Sequence, residues 1–133
     1  MISALDSSII LDVLTDSPRF SESSEALLRR ATAEGKLVTG ECVLAEIAPA
    51  FGNGSALREF LADWQIEFVP SSLESAILAG SNFAKYLSRG GRAGRIVADF
   101  LIGAHAVFHA DRLLARDRGF LRDYFSELTV LDK

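Results

Sequence analysis

Four carboxylates in this sequence are candidates for one site, Glu46 and Asp99 by the helix faces they occupy and Asp6 and Asp117 by where they fall after strands. An unpaired charge on a face that ought to be buried is expensive and persists only for a reason. In a helix over 41–51, the residues three and four positions from Glu46 are Cys42, Val43, Pro49 and Ala50, none of them polar, which puts Glu46 on the inward face. Asp99, in a helix over 94–109, has Arg95, Ile96, Ile102 and Gly103 at the same offsets. By contrast Glu25 sits among Ser21, Glu22, Leu28 and Arg29, an ordinary wet helix surface. Two carboxylates about 4 Å apart repel by roughly 1–4 kcal/mol. A divalent cation relieves that repulsion, and an all-oxygen donor set with retained waters suits Mg²⁺ or Mn²⁺, whereas Zn²⁺ sites usually include His or Cys.

The elements that must bring these acids together follow from periodicity and punctuation. Ile2–Asp6 is an apolar run ending at a carboxylate, and Ser7 and Ser8 are candidate N-caps for a short helix through Ile9, Ile10, Val13 and Leu14. Residues 18–34 open with Pro18 and stop at Gly35, as an amphipathic helix should. Strands are expected at 37–40, 66–69, 112–115 and 128–131, and helices at 41–51, 55–63, 73–88, 94–109 and 119–125, with a Gly90–Gly94 loop between the last two long helices. Strands alternating with helices imply a parallel α/β sheet of about four to five strands, flanked by helices on both faces. Ligands of such sheets bind at the carboxyl ends of the strands. Asp6 ends the first strand and Asp117 follows the fourth. Helices run antiparallel to the strands, so Asp99, in the first turn of its helix, and Glu46, about five residues into its own, belong at that same edge.

A length of 133 residues predicts one domain spanning 1–133, with apolar and charged fractions in the ordinary globular range. The longest stretches free of Asp, Glu, Lys and Arg, 47–57 and 100–110, are 11 residues each, too short for a membrane span. The opening Met1–Asp6 has no basic region and meets a carboxylate early, which reads against a secretory signal. Cys42 is the only cysteine, so no disulfide framework forms within one chain, and a reducing cytoplasm is expected. The net charge of −4 argues at face value against a nucleic-acid partner. Its distribution does not. Residues 1–84 carry 5 Lys/Arg against 12 Asp/Glu, whereas 85–122 carry 8 against 3, seven of the eight being Arg, whose planar fork suits phosphate oxygens.

At these residues the sequence resembles the PIN-domain family, and within it the VapC-type ribonuclease toxins of bacterial toxin–antitoxin pairs. The likeness covers nearly the whole chain. It is carried by Leu5-Asp6-Ser7-Ser8 with Ile9–Asp12, by Val43–Ile47 around Glu46, by Ala98–Ala106 around Asp99, and by Leu113–Phe120 around Asp117, four motifs in order at suitable spacing. The resemblance implies a PIN-like three-layer fold in which Asp6, Glu46, Asp99 and Asp117 form an acidic quartet that binds metal and catalyses. Asp6 and Asp99 match the ion ligands most closely, and Ser8 matches a small polar residue supporting the first acid. It further implies Mg²⁺- or Mn²⁺-dependent hydrolysis of RNA phosphodiesters, with Glu46 or Asp117 orienting the water. A small antitoxin protein and a homodimer are its implied partners. Two departures fall beside Asp117: Ala115 stands where many members carry Thr or Ser, and Gly119 where some carry another acid.

Other features read as structural. His105 and His109 are spaced i,i+4 but lack an HExxH motif or third ligand. Gly90–Arg95 lacks the Lys-Ser/Thr of a P-loop and follows a helix. Phe51, Phe60, Trp64 and Phe68 read as core or seam residues, Cys42 as an inert thiol, and Asp12 and Asp16 as wet helix positions. A haloacid-dehalogenase-like phosphatase built on Asp6 is disfavoured because Ser8 stands in place of its second Asp. The remaining rival is a catalytically weak PIN-like module that binds RNA or protein, a reading that Ala115 favours.

Overall fold

The structure is a computed structural model that describes residues 1–91, 97–116 and 120–132. Strand β1 (Ile2–Leu5) leads into helix α1 (Ser7–Leu14) and α2 (Ser21–Glu34), then β2 (Lys36–Thr39), α3 (Glu41–Ile47), a 3₁₀ turn (Ala48–Ala50), α4 (Gly54–Asp63) and β3 (Ile66–Phe68). The second half runs α5 (Leu73–Ser88), α6 (Val97–His109), β4 (Arg112–Leu114), α7 (Phe120–Tyr124) and β5 (Val130–Leu131). All five strands are parallel, in the order β3-β2-β1-β4-β5. This is the expected fold class at the upper end of the expected strand number.

The order matters for function. From β1 the chain steps outward through β2 to β3, then returns to place β4 on the other side of β1. Successive connections therefore diverge at the β1/β4 boundary, which in open parallel sheets opens a crevice at the strands' carboxyl ends. In register, Leu5 faces Leu114, and one residue further on the Asp6 backbone N–H donates to the Leu114 carbonyl at 2.9 Å. Asp6 thus stands at the switch point.

Apolar residues of the strands and helices meet in one core that includes Ala4, Leu5, Ile9, Ile10, Leu28, Val38, Ile47, Phe100 and Leu113. Around Phe100, the rings of Phe83, Tyr86, Tyr124 and Phe125 pack at centroid distances of 5.4–6.2 Å, tying α5 and α7 to α6. That cluster fixes the helix that carries Asp99. Gly35 terminates α2 where only glycine fits, since a Cβ there would lie 1.9 Å from the Met1 carbonyl oxygen. The close approach lets the Lys36 N–H donate to that same oxygen at 2.9 Å and start β2 beside β1.

Several boundaries differ from expectation for local reasons. The α2 helix begins at Ser21, three residues later than anticipated, because Pro18 falls in the turn that follows α1. The helix expected over 41–51 ends at Ile47 and tightens into the 3₁₀ turn that contains Pro49. Neither Ser7 nor Ser8 caps α1. Asp6 does, accepting the Ser8 N–H. The Arg92–Gly94 portion of the loop between α5 and α6 lies outside the described residues.

Candidate active site

Asp6 is half-buried at the junction of β1 and α1, where strand and helix change direction. Its Oδ2 accepts two hydrogen bonds from one residue, the Ser8 hydroxyl at 2.5 Å and the Ser8 N–H at 3.3 Å. The neighbouring serine serves a second acid: the Ser7 hydroxyl donates to Glu46 Oε1 at 2.9 Å. Consecutive hydroxyls at the start of α1 therefore hold two of the four expected acids, and draw α3 toward the end of β1. Asp99 lies half-buried in the first turn of α6. That helix packs on β1, β4 and α3. A small cleft of about 10 Å³ is lined by Leu5 of β1, Glu41 and Cys42 of α3, and Leu101, Ile102 and His105 of α6, so the first two turns of α6 border the strand end that Asp6 follows. Asp117 lies outside the described residues, and so do Arg118 and Gly119.

Glu46 is the clearest correction to the sequence reading. Its side chain is exposed rather than inward. The i+3 and i+4 offsets that made its surroundings look apolar require one continuous helix, and α3 stops one residue after Glu46. Pro49 and Ala50 are themselves exposed and do not share its face. Asp12 errs in the opposite direction. Expected as a wet helix residue, it is only 4% exposed, and it accepts the Arg116 guanidinium through both oxygens, Nε to Oδ2 at 2.7 Å and Nη2 to Oδ1 at 2.9 Å.

The basic segment 85–122 is likewise not one face beside the acids. Arg112 opens β4 at the opposite end of the sheet, is 6% exposed, and donates to Ser3 Oγ at 2.8 Å and Glu34 Oε1 at 2.5 Å. Arg116 is committed to Asp12, with its guanidinium 4.2 Å from the Phe20 ring centre. Lys85 and Arg89, at the carboxyl end of α5, remain exposed, Arg89 lying 5.3 Å from the Tyr124 ring centre. One further structural contact has no signal in the sequence pattern. Glu41 accepts the Ser71 N–H at 3.0 Å and its hydroxyl at 3.0 Å, pinning the approach to α5 onto α3. Burial works to raise the Glu41 pKa, but is outweighed by its own backbone N–H, by the Ser71 donors and by His105, and the net shift is downward.

The histidines and the thiol behave as expected. His105 is buried with Nε2 2.6 Å from the Val69 carbonyl; a carbonyl only accepts, so Nε2 carries a proton. Burial above all lowers its pKa, helped by His109 and opposed by the Val69 bond and Glu41. Burial, reinforced by the charges of Glu41 and Glu46, raises the Cys42 thiol. Phe51, Phe60 and Trp64 pack against the core, while Phe68 on the edge strand is exposed.

Among the described residues, no three His, Cys, Asp or Glu side chains converge closely enough to hold an ion. The donor chemistry nonetheless fits a hard cation. Asp6 and Glu46 offer only oxygen and have no ion pair among the described residues, and Mg²⁺ is commonly held by one or two carboxylates with several retained waters.

The fold and this rim define a parallel α/β protein with carboxylates at its topological switch point. The chain belongs to the PIN domain family, whose model matches residues 4–125. Among solved structures it is similar to VapBC2 from Rickettsia felis bound to a DNA fragment from the promoter, with 21% identity, TM-score 0.74, and 100% of this chain and 99% of that chain covered. It is also similar to VapBC-1 from nontypeable Haemophilus influenzae, with 20% identity, TM-score 0.71 and coverages of 99% and 98%. FitAcB from Neisseria gonorrhoeae follows with 22% identity, TM-score 0.66 and coverages of 99% and 97%. No curated protein matches the sequence.

Proposed function

We propose that this protein is a Mg²⁺- or Mn²⁺-dependent endoribonuclease acting as the toxin of a toxin–antitoxin pair. The observation that carries this reading is the pair of serine-held carboxylates, Asp6 and Glu46, without a cationic partner among the described residues, at the switch point of a PIN domain. PIN domains are generally nucleases, and the structural likeness to VapBC and FitAcB supports the narrower role. Asp6 and Asp99 would hold the ion, with Glu46 and Asp117 completing the acidic set. When bound, the ion supplies Lewis acidity at the phosphodiester and lowers the pKa of water. Glu46 orients the attacking water and takes its proton at Oε2, since Oε1 is engaged by Ser7. Lys85 and Arg89 hold RNA phosphates, giving affinity but little sequence choice.

A small cognate antitoxin, a homodimer and a cytoplasmic setting complete the reading. Leu73 and Ile77, one turn apart on α5 and 74% and 63% exposed, support association between copies. No helix among the described residues is long and apolar enough to cross a membrane.

The deciding experiment is RNA cleavage by purified protein with Mg²⁺, Mn²⁺ or EDTA. Cleavage that needs the ion and is lost in Asp6→Asn and Asp99→Asn, with circular dichroism unchanged, supports the reading. Undiminished cleavage by both variants would overturn the metal site. Absence of cleavage by the wild type over a broad RNA panel would favour the rival that Ala115 suggests, a PIN-like binding module.

A further inference from the structure

We propose that the ion pair between the buried Asp12 and the more exposed Arg116 is a positioning device for Asp6, acting through the hydroxyl of Ser8; the inference rests on the reading of Asp6 as an ion ligand. Asp12 belongs to α1, and Arg116 follows β4, 104 positions away in sequence. Asp12 Oδ2 also accepts the Ser24 hydroxyl at 2.8 Å, so both carboxylate oxygens are engaged and the pair is locked to α2 as well. This clamp fixes the backbone where the chain leaves β4, and there the Arg116 N–H donates to Ser8 Oγ at 3.3 Å.

That bond determines where the serine proton goes. A hydroxyl has one proton and two lone pairs. With the Arg116 N–H occupying a lone pair, the Ser8 proton is directed to Asp6 Oδ2, at 2.5 Å. Oδ2 is thereby saturated by Ser8, while among the described residues no hydrogen bond takes Oδ1. The relay fixes the carboxylate's rotation and presents one particular oxygen to a ligand. Groups that hydrogen-bond a metal ligand typically alter ion affinity by 10–100-fold when removed. Asp12 and Arg116 are positioning residues in this scheme, since neither touches the ion or the substrate.

The test is a double-mutant cycle read by calorimetric titration with Mn²⁺ alone, RNA absent. Ser8→Ala and Asp12→Asn are each expected to weaken Mn²⁺ binding by about tenfold, and the double variant to bind no more weakly than Ser8→Ala. A purely structural pair would lower the melting temperature and leave Mn²⁺ affinity intact. If Asp12→Asn folds poorly, Arg116→Lys keeps the charge, loses the two-pronged contact and is expected to show the same loss. Unchanged Mn²⁺ affinity in both, or an Asp12→Asn effect that persists in full without the Ser8 hydroxyl, would overturn the relay. Should Asp6→Asn bind Mn²⁺ like the wild type, the metal reading falls, and amide hydrogen exchange decides the relay on its own. The Arg116 amide should then exchange at least severalfold faster in Asp12→Asn relative to the Leu113 amide, which donates to Thr129; an unchanged ratio overturns it.

Discussion

Arg112 and Ser3 are partners across adjacent strands at the end of the sheet remote from the acids: the guanidinium Nε donates to the buried Ser3 hydroxyl at 2.8 Å, and Nη2 reaches Glu34. This arginine is structural, although in sequence it belongs to the most basic segment of the chain. Replacing it by Met fills similar space but strands the Ser3 hydroxyl, which costs about 1–3 kcal/mol. Urea denaturation of Arg112→Met should show that loss, while RNA affinity at fixed salt stays within twofold of wild type. An affinity loss without destabilisation would return Arg112 to the RNA-binding face.

The contact of Arg112 with Glu34 shapes the pH dependence of stability. The Arg112 hydrogen bond, foremost among its influences, holds the Glu34 carboxyl below its usual value. A depressed folded pKa contributes stability that is present above the unfolded pKa and lost as pH falls through the folded one. His105 acts in the same direction at higher pH. Its pKa is lowered by burial, so the folded state resists taking up a proton that the unfolded chain binds readily, and stability declines as pH falls below about 6.5. Thermal melts should therefore show a first decline that begins as pH falls below about 6.5 and is absent in His105→Gln, and a further decline in the carboxylate range that is smaller in Glu34→Gln. Identical profiles for wild type and both variants would contradict the assignment.

Much of the fold is legible in the amino-acid sequence because it depends on short-range patterning. The alternation of apolar runs with amphipathic stretches, Gly35 behind α2 and the Asp6 and Asp99 placements all follow from offsets of a few residues. The exposure of Glu46 is not legible because its helix ends at an exposed 3₁₀ turn. The burial of Asp12 and of Arg112 is not legible for a different reason: each has a partner 104 or 78 positions away, and no local pattern encodes such a partner. Charge segregation in sequence, for the same reason, did not translate into a single basic face. Asp117, together with Arg92, Arg95 and Arg118, lies outside the described residues.

The Ser7–Glu46 bond predicts a graded effect at the site. Ser7→Ala leaves Glu46 in place but free to rotate on the exposed face of α3, so cleavage should fall by about three- to tenfold, whereas in Glu46→Gln the proton acceptor is lost and cleavage should fall by roughly 10²-fold or more. Single-turnover cleavage at saturating Mg²⁺ measures both. Equal losses in the two variants would mean that Ser7 acts on something other than the orientation of Glu46.

Lys85 and Arg89 are the exposed cations at the end of α5, which pairs with the helix bearing Asp99. If they hold phosphates, each releases counterions on binding, and the slope of log affinity against log salt should become shallower by about 0.7 per lost contact to single-stranded RNA. Lys85→Ala should show this change alone. Arg89→Ala should add a loss of stability, because the Arg89 guanidinium also lies over the Tyr124 ring. Fluorescence anisotropy of a labelled RNA from 50 to 300 mM salt, on Asp6→Asn protein to prevent cleavage, separates the two contributions. Parallel salt slopes for Asp6→Asn protein with and without Lys85→Ala would exclude this end of α5 from the RNA path.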